Sequence, residues 1–243
     1  MIKCTRVRTR PKPHVSNIGG PATMPIEIPL FPLPNVVLFP KTLRPLHIFE
    51  PRYRKMIEAA LEGEHLVGMT LLQEGWEDQY EQSPPVERRG TLGKIVQSNR
   101  LPDGRYYITL LGISTFDIEE ELEGDSWRTA LVSVLRPENR WPLSQSDLDR
   151  IRSVVNEVLT QWDLTSELAW IQESARDPIS LLHHWSAFLP FTATERQFLL
   201  EAPDLRTQAG RLYDLLLFKK VTFESDMAPD NQNNGAGDLF FDV

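Results

Sequence analysis

The sequence predicts an α+β protein: a small, strongly bent β-barrel with one early helix, followed by a C-terminal α-helical subdomain. Three observations carry this. Pro25 to Lys55 alternates short β-rich pieces with prolines at 25, 29, 32, 34, 40, 45 and 51. Residues 65–135 hold strand-like runs separated by turn signals. From Ser144 onward the apolar residues recur at helical spacing instead. Runs of strands followed by runs of helices are the pattern of an α+β architecture.

Each proline in the opening stretch removes a backbone donor and restricts its predecessor, so no helix can run through it. The pieces between them are Ile26 to Ile28, Val36 to Phe39 and Leu46 to Phe49, with Asn35 as a turn residue. Prolines inside strand-like runs mark edges, bends and bulges. Pro51 suits the first position of a helix, where its missing donor costs nothing. Tyr53, Met56, Ile57, Ala60 and Leu61 share one face of that helix, and Gly63 is expected to end it in a left-handed cap. Phe49 is expected in the core, and a pairing of Glu50 with a following arginine is expected to pin the helix to the barrel.

His65 to Leu72 reads as a buried strand, and 73–89 as a long polar loop. Leu92 to Ser98 and Arg105 to Ile113 read as strands joined at Pro102-Asp103-Gly104. In the second, Tyr106, Ile108 and Leu110 alternate with Tyr107, Leu111 and Ile113, so it is expected to be covered on both faces. Between Phe116 and Glu123 acidic residues alternate with Phe116, Ile118 and Leu122, which reads as a charged edge blocking aggregation. Trp127 to Leu135 is the last clear strand. Pro137 to Pro142 breaks the pattern.

Ser144 and Asp147 fit a capping box. Leu148, Ile151, Val155, Val158 and Trp162 then form an amphipathic stripe. Further helices are expected over Leu164 to Ala175, after Asp177-Pro178, after the Thr192/Glu195 capping box, and from Asp204 to Lys219-Lys220. The organisation expected is a disordered basic arm over 1–24, a barrel over 25–140, a helical subdomain over 141–221 and a disordered acidic tail over 222–243. The arm reads either as an over-extended start before Met24 or as a targeting or nucleic-acid-binding segment.

The opening motifs resemble a known family. IPLFPLPNVVLFP, a short spacer and PLHIFEPRYRKMI are similar to the start of the substrate-recognition domain of ATP-dependent Lon proteases. Gly90-Thr91, Leu101 to Arg105, Gly112 leading into Phe116-Asp117-Ile118, Glu195 to Leu200 and Asp204-Leu205-Arg206 follow in the family's order. The resemblance covers roughly residues 26–220. It implies a PUA-like barrel and a role in binding unfolded or exposed apolar polypeptide, as an adaptor or regulator in protein quality control. A protease is an implied partner. The alternative, drawn from other PUA-like barrels, is an RNA-binding module.

Bulk numbers narrow these readings. A hydrophobic content of 41% with 25% charged residues is ordinary for a soluble globular chain, and no apolar run reaches the ~18 residues of a membrane span. A single cysteine excludes an internal disulfide and fits a cytoplasmic setting. Lys3, Arg6, Arg8, Arg10 and Lys12 in the arm offset the five acids of 224–243, so the body holds the net −8. A body of that sign repels phosphate backbones, so nucleic acid is not the expected partner. The sequence lacks GxxxxGK[ST], GxSxG and HExxH, so no enzyme, cofactor or metal is expected. His183 and His184 are read as capping or surface residues. The polypeptide contacts expected are Leu33, Val37 and Phe39 in the proline-rich opening, with Trp76 and Tyr80 in the long loop.

Overall fold

Proline-interrupted strands and one long hairpin build a strongly curled sheet, and a layer of helices closes over one side of it. The computed structural model describes residues 25–79, 83–122, 126–135, 144–163, 170–171, 173–175, 177–226 and 241–242. The arm, Tyr80, the Pro137–Pro142 break and most of the helix expected over 164–175 lie outside these. The strands are β1 (Ile26–Leu33), β2 (Leu43–Ile48), β3 (Leu66–Leu71), β4 (Arg89–Arg100), β5 (Tyr106–Leu122), β6 (Thr129–Val134) and the two-residue β7 (Phe241–Asp242). The helices are α1 (Pro51–Glu62), α2 (Gln145–Gln161), α3 (Pro178–Phe188), α4 (Ala193–Leu200) and α5 (Leu205–Asp226). A short 3-10 turn spans Trp76–Gln79.

The sheet runs β4-β3-β1-β6-β5-β2-β7, and β4 also pairs with β5. That extra ladder returns the sheet on itself through β4, β3, β1, β6 and β5. The result is not a clean barrel, because β2 lies outside the circuit, along one half of β5. Strand β5 is one continuous element and serves three neighbours: β4 along its first two-thirds, β2 at Tyr106–Leu111 and β6 at Phe116–Leu122. Bulges at Leu92/Gly93 and Ile95/Gln97 of β4 and at Ile118/Glu120 of β5 let a strand this long bend between layers.

Strand β1 is buried on both faces, as a parallel neighbour of β3 should be. Leu30 packs in a cluster with Phe116 and Val132, while Phe31 packs with Ile48, Met56 and Leu110. Helix α1 lays Tyr53, Met56, Ile57 and Ala60 onto the second cluster, the face its spacing predicts. Its end differs from expectation. Gly63 has φ −108°, and the left-handed residue is His65 at φ 63°. The Glu50 pairing is local, Arg52 Nε donating to Oε2 at 2.8 Å; Arg54 instead reaches the β4–β5 turn at the Asp103 carbonyl.

Only the start of the acidic stretch of β5 is paired on both sides: β6 flanks it to Leu122, whereas β4 pairs as far as Asp117 and leaves Glu119 to Leu122 with β6 alone among the described strands. Two of its carboxylates are engaged: Asp117 accepts a bidentate pair from Arg89, and Glu121 accepts from Arg128. Both predicted capping boxes form, at Ser144/Asp147 and Thr192/Glu195. Helix α5 continues past Lys219 and Lys220 to Asp226, so those lysines serve other partners, Glu195 at 2.8 Å and Glu157 at 2.7 Å. Of the expected acidic tail, residues 222–226 close α5 and Phe241–Asp242 form β7.

Sheet and helices share one apolar cluster. Val37, Phe39 and Leu71 belong with Val155, Leu182, Trp185, Leu199 and Leu212. Arg89 adds a polar clamp, donating to the carbonyls of Glu201 and Ala202 while its own carbonyl accepts from Gln197.

Candidate functional site

The three expected contact residues of the proline-rich opening are not presented to solvent. Leu33, Val37 and Phe39 are 1%, 4% and 0% exposed, so none can touch a ligand. The reason is local. After β1 the chain passes under the helices, where Thr91 Oγ1 donates to the Leu38 carbonyl at 2.6 Å and Lys41 N–H to the Gly112 carbonyl at 2.8 Å. A Cβ at Gly112 would run into the Phe39 carbonyl, so only glycine lets the two backbones meet there. Trp76 is half-buried in its 3-10 turn, and Tyr80 falls outside the described residues.

One stretch of exposed apolar surface lies on the outer face of β2, β5 and β4; Phe198 of α4 and Leu217, Phe218 and Val221 of α5 are exposed elsewhere. Period two decides which residues it shows. Leu46 and Ile48 of β2 point into the core, so Leu43 and Phe49 are turned outward. On β5, Tyr106, Ile108 and Leu110 are buried, whereas Tyr107 and Ile113 are 41% and 45% exposed. The strand expected to be covered on both faces is covered on one. Register places Leu43 opposite Leu111 and His47 opposite Tyr107, so the outward residues form adjacent rows. His47 stacks on Tyr107 with ring centroids 4.6 Å apart and lies 6.0 Å from Phe49. Phe49, predicted in the core, is 42% exposed.

At its Leu43 end this face runs into a cleft of about 690 Å³ between sheet and helices. Leu43, Val96 and Ile113 form one wall, Trp170 and Phe188 the other. Trp170 meets Phe188 edge-on at 4.8 Å, and the Arg44 guanidinium lies 5.3 Å over the Phe188 ring. Burial, with Arg196 nearby, lowers the Arg44 pKa to about 10, which leaves it charged at neutral pH. Lys41 closes one side of the cleft by bridging to Asp177 at 2.9 Å. Asp177 also caps α3 through the N–H groups of Ile179 and Ser180. Burial opposes its ionisation, but Lys41 and these donors together hold it below the usual carboxylate range. His184 of the cleft is buried, its Nδ1 2.7 Å from the Ser180 carbonyl, and His183 is buried beside Phe39. Neither is the surface or capping residue expected. A face of this kind offers apolar contact and a few fixed charges.

Residues 27–217 match the family described as the ATP-dependent protease La (LON) substrate-binding domain. The chain belongs to that family. Among relatives, the Lon protease of Flavobacterium johnsoniae is 25% identical over 190 residues, which are 76% of this chain and 23% of that protein. Lon protease 1 of Thermus thermophilus is 26% identical over 214 residues, 83% of this chain and 26% of the relative. The chain thus spans about a quarter of the length of the curated Lon proteases it matches. The fold is also that of the N-terminal domain of a Mycobacterium avium complex Lon protease, with TM-score 0.63, 15% identity and coverage of 79% of this chain and 98% of that one. A Lon N-terminal domain protein from Xanthomonas campestris aligns at TM-score 0.56 and 21% identity, over the same shares. The matched Lon substrate-binding region is not catalytic. Among the described residues no helix is long and apolar enough to cross a membrane.

The sequence did contain a signal for the outer face. Both alternating sets of β5 are apolar, and a second apolar set needs either a covering layer or a ligand. Phe49→Ala, on this face, is expected to change stability by no more than ~0.5 kcal/mol, the scale of surface substitutions. A urea titration that shows a loss of several kcal/mol would return Phe49 to the core.

Proposed function

We propose that this Lon-type domain recognises unfolded or exposed apolar polypeptide through the outer face of β2, β5 and β4 and the cleft beside it. The observation that carries the reading is the continuity of that face: Phe49, Tyr107, Leu43 and Ile113 stay half-exposed on a rigid sheet, and the face leads into an aromatic-walled cleft. Contiguous exposed apolar surface marks sites for other chains. Extended client segments of mixed sequence suit a shallow site without deep pockets. An adaptor or regulator role in cytoplasmic quality control, beside a protease that degrades the client, accords with this chemistry.

The test is fluorescence anisotropy with a labelled, chemically unfolded protein and, separately, labelled RNA, at low and high salt. Binding in the micromolar range or weaker is expected for a small shallow interface. Apolar contact should survive or strengthen in a kosmotropic salt such as sulfate, which favours burial. The Leu43→Asp/Ile113→Asp double variant should lose at least about tenfold in affinity, because two charges replace apolar contacts, with its melting temperature nearly unchanged. Undiminished binding by that variant removes this face from the reading. Tight, salt-sensitive binding to RNA with none to the unfolded chain replaces the reading altogether.

A further inference from the structure

Five strands of the sheet, β1, β3, β4, β5 and β6, each pair with at least two long neighbours, whereas β2 pairs with one, β5. On its other edge, among the described residues, β2 holds only β7, in parallel, with Leu46 opposite Phe241 and His47 opposite Asp242. The sequence there is Asp238-Leu239-Phe240-Phe241-Asp242, an apolar triplet inside a stretch with five acids and no base. An open strand edge is a template for any extended chain, because main-chain bonds supply the affinity and demand little of the sequence. The edge borders the candidate face directly, through His47 stacked on Tyr107 and Phe49 beyond it. Its length is limited. Pro45 has no N–H to offer, and α1 begins at Pro51. A ladder this short binds weakly and exchanges readily.

We propose that the outer edge of β2, residues 46–48, is a strand-addition site for extended, apolar-rich polypeptide, and that this chain's own β7, Phe241–Asp242, is its resident, displaceable occupant. The inference rests on the polypeptide-recognition reading and adds to it where a client's backbone would sit. A tethered segment acts at an effective concentration on the order of 1 mM. Against an intrinsic affinity on the order of 0.1 mM it lowers the apparent affinity for a client about tenfold.

The test compares the full chain with its Phe240→Ser/Phe241→Ser variant. The labelled unfolded protein should bind the variant about tenfold more tightly. Without client, amide hydrogen exchange over 46–48 should be faster in the variant. It should slow again when a synthetic peptide of residues 238–243 is added. The same peptide, but not a proline-substituted one, should displace client from the unaltered chain, a readout that does not depend on the variant's folding. Equal affinity with equal exchange overturns the inference and leaves the recognition reading standing. Weaker client binding by the variant also overturns it, since the segment is then part of the client's site. Peptide protection of 46–48 without client binding by either protein removes the recognition reading alone.

Discussion

Phe39→Ala is expected to lower the free energy of unfolding by about 3–5 kcal/mol, the range for a fully buried phenylalanine. Against a typical total of ~5–15 kcal/mol this is a large share. The ring comes from the stretch before β2, yet its cluster is that of the helices, with Leu182, Trp185 and Leu212. A cavity there loosens the helical layer from the sheet, so both should unfold in the same transition. With a urea m-value of ~2–3 kcal/mol/M, the midpoint should fall by about 1–2.5 M. Far-ultraviolet circular dichroism and tryptophan fluorescence should move together. Two separated transitions, only one of them shifted, would show that sheet and helices are independent units.

Stability is expected to fall by about 2 kcal/mol between pH 6.5 and pH 5, well before the carboxylates titrate. Full burial lowers the His183 pKa from 6.5 to about 4, with Lys41 and His184 acting the same way; the Pro40 carbonyl and Asp177 oppose in part. Burial lowers His184 too. Between the two values the unfolded chain carries a proton on His183 that the folded chain does not. Stability is therefore full above pH 6.5 and is lost as pH falls toward 4. Asp177, Glu195 and Asp204, all held below their ordinary values, extend the loss at lower pH. Urea midpoints at half-unit pH steps measure the slope, and His183→Gln should flatten most of it. A parent whose stability is constant from pH 7 to 5 would mean that His183 takes up its proton in the folded chain as readily as in the unfolded one.

The legible parts of the fold are those where one local rule acts unopposed. The capping boxes at Ser144 and Thr192, the Pro51 helix start and the Pro102-Asp103-Gly104 turn form as read. The illegible parts are those where a neighbour decides. The apolar sets of β5 are equally apolar as sequence, yet Ile108 is buried and Tyr107 is not, because α1 and β1 cover one face only. Phe49 and Phe39 occur in similar surroundings of proline and β-branched residues. One ends an outward row and the other is the plug between layers.

By itself the sequence determined the α+β class, the order of strands before helices, most helix starts and the likeness to the Lon substrate-binding family, since periodicity, caps and long motifs are properties of contiguous residues. The tertiary structure alone decided which apolar residues are available to a partner. Exposure depends on what lies across from a side chain. The helical layer came to rest over Val37 and Phe39, the core between sheet and α1 took in Leu33, and Leu43, Phe49, Tyr107 and Ile113 were left facing water. It also decided that β2 has one long partner among the described strands, because the β4–β5 ladder, joining residues from Arg89 to Asp117, gives β4, the other end of the strand order, a second neighbour.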